Sequence, residues 1–110
     1  MAHDDMYVVM YKVMAYIYGC MKKGVEPDPE MYSADALGVP QGYWACVMKE
    51  LVDHGYVAGM AVMSSPYGFI VRPTNPRVTM EGVAFIDENS MMGKAKAFLK
   101  EAKDAIVPFV

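Results

Sequence analysis

Residues 33–57 read SADALGVPQGYWACVMKELVDHGYV, and the fold turns on this stretch. The Ser33 hydroxyl can accept from an otherwise unpaired backbone N–H, which predicts a cap at the start of a short helix. Ala34, Ala36 and Leu37 give that helix small and apolar contacts. Gly38 most easily takes the left-handed conformation that closes a helix. Pro40 follows, its fixed φ suited to the first turn of a new one. From there Tyr43, Trp44, Val47, Met48 and Leu51 recur at three- and four-residue spacings, so they share one face. Gly55 ends the second helix, and Tyr56-Val57 begins an extended run. Two helices joined by a short turn, with a strand straight after, predict a winged helix-turn-helix.

Toward the N-terminus, Asp4 or Asp5 can cap a first helix running to about Lys23. Gly24 closes it, and Lys22 and Lys23 complement the negative end of its dipole. Met6, Val9, Met10, Val13, Ile17 and Cys20 form one apolar stripe. Tyr7, Tyr11, Met14 and Tyr18 form another on a different side. Lys12 is the only charged residue between Met6 and Met21, and a helix apolar nearly all round is usually buried. Val25 to Tyr32 reads as a linker, because Pro27 and Pro29 push the residues before them into extended conformations.

Toward the C-terminus, Tyr56–Met63 and Tyr67–Arg72 predict a hairpin, turning at Ser64-Ser65-Pro66 and Gly68. Arg72 and Arg77, the only arginines, flank an irregular Pro73-Thr74-Asn75-Pro76. Residues Arg77 to Thr79 are expected to close a three-stranded sheet. Thr79 then caps a helix to about Asn89, and Ser90 caps a last helix over about 91–107. The fold class is therefore α+β and mostly α: a winged helix-turn-helix, a small antiparallel β wing and an extra C-terminal helix. A chain of 110 residues makes one domain, with a core over about 4–89.

Composition removes several classes of function. Hydrophobic residues make up 55% of the chain, which argues against disorder. No apolar run approaches the roughly 20 residues that span a bilayer. Asp4 and Asp5 stand where a signal peptide would need positive charge, so a cytoplasmic protein is expected, with no membrane association. Two cysteines make neither a disulfide framework nor a zinc site. Cys20 falls on an apolar face, and Cys46 on the polar side of its helix beside Gly42, Ala45, Lys49 and Asp53. His3 and His54 have no nucleophile suggested beside them, and no glycine-rich loop precedes a helix to cradle phosphate. The twelve methionines suit an adaptable core. The expectation is a protein that is not an enzyme and has no cofactor, metal or small-molecule ligand.

The opening Asp4-Asp5 helix, SADALGV with Tyr43-Trp44, LVDHGYV and the tail RVTMEGVAFIDENSMMGKAKAFLKEAK together resemble the YjcQ-like family of small bacterial winged-helix proteins, often found in prophages. The likeness covers nearly the whole chain and is most specific in the tail. It implies a winged-helix fold and a DNA-binding role in transcription regulation, and it brings no catalytic residue or ligand with it.

For DNA, the second helix of such a unit lies in the major groove with its N-terminal residues near base edges. That would present Gln41, Gly42, Ala45, Cys46 and Lys49. The Gln41 amide has the donor and acceptor that match adenine. Arg72 and Arg77 would hold phosphates beside the wing. A net charge of −3 weighs against this, since binding depends on cations meeting phosphates. The alternative is a winged helix that contacts another protein and does not bind DNA to any significant extent. Counting apolar faces adds one more expectation. The last helix, through Met92, Phe98, Leu99 and Ile106, is expected to cover Tyr7, Tyr11, Met14 and Tyr18, within one chain or across a homodimer.

Overall fold

The computed structural model describes residues 5–90. In order they form α1 (Met6–Lys23), a 3-10 turn (Pro29–Tyr32), α2 (Ala34–Leu37), α3 (Gln41–Asp53), β1 (Val57–Ser65), β2 (Gly68–Val78) and α4 (Met80–Ser90). This is the expected α+β order, with two helices, a hairpin and a further helix following α1. The predicted last helix, with Met92, Phe98, Leu99 and Ile106, lies outside the described residues.

Local chemistry accounts for most boundaries. Ser33 Oγ accepts from Ala36 N at 3.2 Å, and Gly38 closes α2 in the left-handed region. Gly24 does the same for α1. Thr79 Oγ1 accepts from Gly82 N at 3.1 Å at the head of α4. Asp5 takes the cap position of α1 in extended conformation, but its side chain makes no capping bond. Val25 to Tyr32 is more than a linker. Asp28 caps the 3-10 turn by accepting from Glu30 N at 3.0 Å, and Tyr32 is buried.

The core lies between α1, α3 and the base of the hairpin. Val9, Val13, Met14 and Ile17 of α1 meet Val47, Met48 and Leu51 of α3, together with Val57 and Val78 from the strands. Trp44 joins them, and its indole N–H donates to the Tyr32 carbonyl at 2.8 Å. That bond satisfies a buried polar group on each side and ties α3 to the 3-10 turn. The two stripes of α1 are not separate surfaces. Met14 from the second stripe is wholly buried in this core, Tyr18 packs against it, and Tyr11 is buried. Tyr7 stays half exposed and meets the Phe85 ring of α4 edge-on, with centroids 5.6 Å apart. Conversely, Met6 of the first stripe is exposed, because the α1 terminus runs past the core.

The sheet has two strands, not three. Arg77 and Val78 continue β2, pairing with Ala58 and Val57. The register shifts between Ala58↔Arg77 and Met60↔Pro73. Gly59 alone therefore spans what Thr74, Asn75 and Pro76 span on the other strand, a bulge that keeps the irregular segment inside one long strand. Gly59 permits it by taking φ 74°, and a Cβ there would meet the Asn75 carbonyl oxygen at 1.8 Å. Thr74 Oγ1 donates to the Gly59 carbonyl at 3.0 Å and pins the bulge.

Candidate nucleic-acid interface

Two surfaces hold the residues that could meet a nucleic acid: the outward side of α3 and the wing. On α3, Gln41, Gly42 and Cys46 are exposed. Ala45 is not. It is only 3% exposed and belongs to the core cluster, which removes it from any contact surface. Its position beside Trp44 at the margin of the apolar arc puts its small side chain inward.

Lys49 does not stand free. Its ammonium lies 2.8 and 3.0 Å from the two oxygens of Asp53, one helical turn on. It also sits 5.8 Å from the centre of the Phe69 ring, a cation–π contact from helix to wing. One residue further along, His54 Nδ1 is 3.4 Å from a Glu50 carboxylate oxygen. The outward side of α3 thus presents one lysine already paired, two acids and a half-exposed imidazole.

The wing differs. Alternation along the strands puts Met60, Val62, Phe69 and Val71 on the side that packs toward the helices, where Val62, Phe69 and Val71 border the core. The opposite face carries Ala61↔Arg72, Met63↔Ile70 and, beyond the bulge, Ala58↔Arg77. Both arginines therefore share one outward face, each opposite an alanine that leaves its guanidinium uncrowded. Both are exposed, and among the described residues no ion pair holds either one. Residues 57–78 contain these two arginines and no Asp or Glu, a local charge of +2. With −3 for the whole chain, the remainder is −5.

The base of this hairpin is anchored. Val57 and Val78 are buried, Thr79 N donates to the Tyr56 carbonyl at 3.0 Å, and Thr79 Oγ1 donates to the Gly55 carbonyl. At the far end the loop is Pro66-Tyr67, where a strand beginning at Tyr67 was expected. Tyr67 is 98% exposed. Sequence reasoning missed it because a tyrosine before Phe69-Ile70-Val71 reads as a strand residue.

The structure brings Arg72 and Arg77 onto one face and Lys49 to the edge of the wing. Of the expected helical interface, Tyr11 and Met14 are already buried, and Tyr7 and Tyr18 are partly covered. Among the described residues no cluster of His, Cys, Asp or Glu could hold a metal ion. No described helix is long and apolar enough to cross a membrane.

A family model described as YjcQ protein matches residues 11–105, and the chain belongs to that family. No curated protein and no solved structure matches it.

Proposed function

We propose that this member of the YjcQ family is a DNA-binding winged-helix protein that holds duplex DNA chiefly through its wing, in a regulatory role. The observation that carries this reading is the segregation of charge. Both arginines lie on one outward face of a hairpin without acids, while the rest of the chain is net negative. Successive residues on β1 rise ~3.3 Å, so the rows of Ala58 and Ala61 lie about 10 Å apart. That separation is short enough for the two arginines to engage neighbouring phosphates of one strand. Gln41, exposed at the start of α3, is the side chain suited to a base edge. With few cationic contacts, binding should be modest and should weaken only gradually with salt.

One observation favours the second reading, a protein-binding module. The lysine of α3 is neutralised by Asp53, leaving a small, weakly charged surface around Gly42 and Cys46. Selection separates the two. The full chain is incubated at low salt with a random-sequence duplex pool, and the retained fraction is sequenced. Retention with enrichment of a short motif is expected. No retained duplex at low salt overturns the DNA reading in favour of the protein partner.

A further inference from the structure

The tip of the wing holds an aromatic side chain that the fold does not use. Tyr67 is 98% exposed, whereas the other large exposed residues of the hairpin, Met63 and Ile70, are 43% and 45% exposed. Leaving an aromatic ring in water forgoes the burial that makes such residues useful to a core. The backbone beneath it is nonetheless closely organised. Ser65 Oγ accepts from Tyr67 N at 3.2 Å and donates to the Gly68 carbonyl at 2.7 Å, so one hydroxyl bridges both sides of the loop. Pro66 fixes its own φ, and Gly68 takes φ 118°, a conformation that L residues rarely adopt. The loop is therefore held in one shape before anything binds, and it presents Tyr67 outward.

Its surroundings indicate the chemistry of a partner. Behind the tip, on the outward face, come Met63 and Ile70 in one row, then Arg72, then Arg77. No carboxylate lies anywhere on the hairpin. An aromatic tip backed by apolar side chains and then by guanidinium groups is complementary to stacked bases flanked by phosphates. Arg72 lies four residues behind Gly68, which is about 13 Å at ~3.3 Å per residue. Two strands ~4.8 Å apart, with their side chains, form a ribbon too broad for a minor groove ~6 Å wide, so only the tip side chain can enter. Laid on its outward face, the wing crosses the phosphate backbone with its arginines over phosphates and Tyr67 at the groove beyond.

Resting on the DNA-binding reading above, we infer that Tyr67 is a wedge that enters the minor groove and partly unstacks a base step, bending the duplex. Side chains inserted in this way kink DNA toward the major groove by ~20–90°. The step most easily opened is a pyrimidine–purine step such as TA, so Tyr67 confers a preference for duplexes containing one. This is selectivity through deformability, without a hydrogen bond to a base.

The test uses the full chain and two 30-base-pair duplexes, each labelled at both ends for energy transfer. One carries a central TA step in an A·T-rich segment, and the other is G·C-rich without such a step. The wild type should bind the first more tightly and shorten its end-to-end distance. Tyr67→Ala should bind it about tenfold more weakly and leave it straight, within the range that base–aromatic contacts supply. Tyr67→Phe should retain both affinity and bend. Thermal unfolding should be the same for all three proteins, because the ring is outside the core. A Tyr67→Ala protein that binds and bends the TA duplex like the wild type overturns the wedge while leaving DNA binding intact. A wild type that binds neither duplex at low salt overturns both readings together, and Tyr67 would then belong to a protein-binding surface.

Discussion

The helical body and the wing are built on opposite terms. In the body, α1 and α3 bury residues on almost every turn, and Val13, Met14, Ile17, Val47, Met48 and Leu51 are wholly enclosed. In the wing no residue from Ala61 to Arg77 is buried. Among the described residues every acid lies in the body, whereas the wing holds both arginines and no acid. Burial on this scale makes the body the source of stability, and a long hairpin that buries so little contributes little to it.

The largest expected effect tests the body. Trp44→Ala removes a buried ring and leaves the Tyr32 carbonyl without its 2.8 Å donor. It should cost about 3–5 kcal/mol by denaturant unfolding, a large fraction of a small domain's stability. A loss below about 1 kcal/mol would mean that the body does not depend on the α1–α3 core.

A smaller effect should stay within the wing. Gly59→Ala forces a side chain onto the Asn75 carbonyl at a φ of 74°. About 1–3 kcal/mol is expected, the range for a strained backbone position. Amide exchange should quicken around residues 60–73 while α1 and α3 stay protected. Equal loss of protection in both regions would erase the distinction between them.

Alkaline pH probes the body again, through the 3-10 turn. Burial first of all raises the phenol pKa of Tyr32 and that of Tyr16, both above the ordinary 10.0. Folding therefore favours the protonated phenols. The folded state binds more protons than the unfolded chain above about pH 10, so stability is complete below that pH and falls as pH rises through it. Unfolding followed between about pH 9 and pH 11 should show this decline, and Tyr32→Phe should lessen it.

Much of the body was legible in the chain because its signals are local. Ser33, Gly38 and Gly24 act through their own backbone geometry, and Trp44, Val47, Met48 and Leu51 mark one helical face by spacing alone. The misreadings of the wing involve relations between distant segments, and that of Ala45 a side chain at the margin of a helical face. Pro73 to Pro76 resembles a break between strands, and only its close approach to Gly59 on the partner strand makes it a bulge. Ala45 sits where a helical wheel passes from apolar to polar, and its small side chain gives no sign of which way it turns. That Asp53 opposes Lys49 can be read from their spacing of four, but the Phe69 ring that the wing brings beside the same lysine cannot. The shared outward face of Arg72 and Arg77 depends on the same bulge, which restores the alternation that the intervening residues would otherwise break.

The smallest effect on stability should accompany the most direct test of function. Arg72→Ala with Arg77→Ala changes exposed side chains and should alter stability by no more than about 0.5 kcal/mol. The decisive measurement is the salt dependence of duplex binding for this double variant, for Gln41→Ala and for the wild type, across about 50 to 200 mM salt. If the wing holds the phosphates, the double variant should bind all sequences more weakly, and its slope of log affinity against log salt should be shallower by about two. Gln41→Ala should keep the wild-type slope and change which sequence is preferred. A double variant with the affinity and slope of the wild type would contradict a wing that holds DNA.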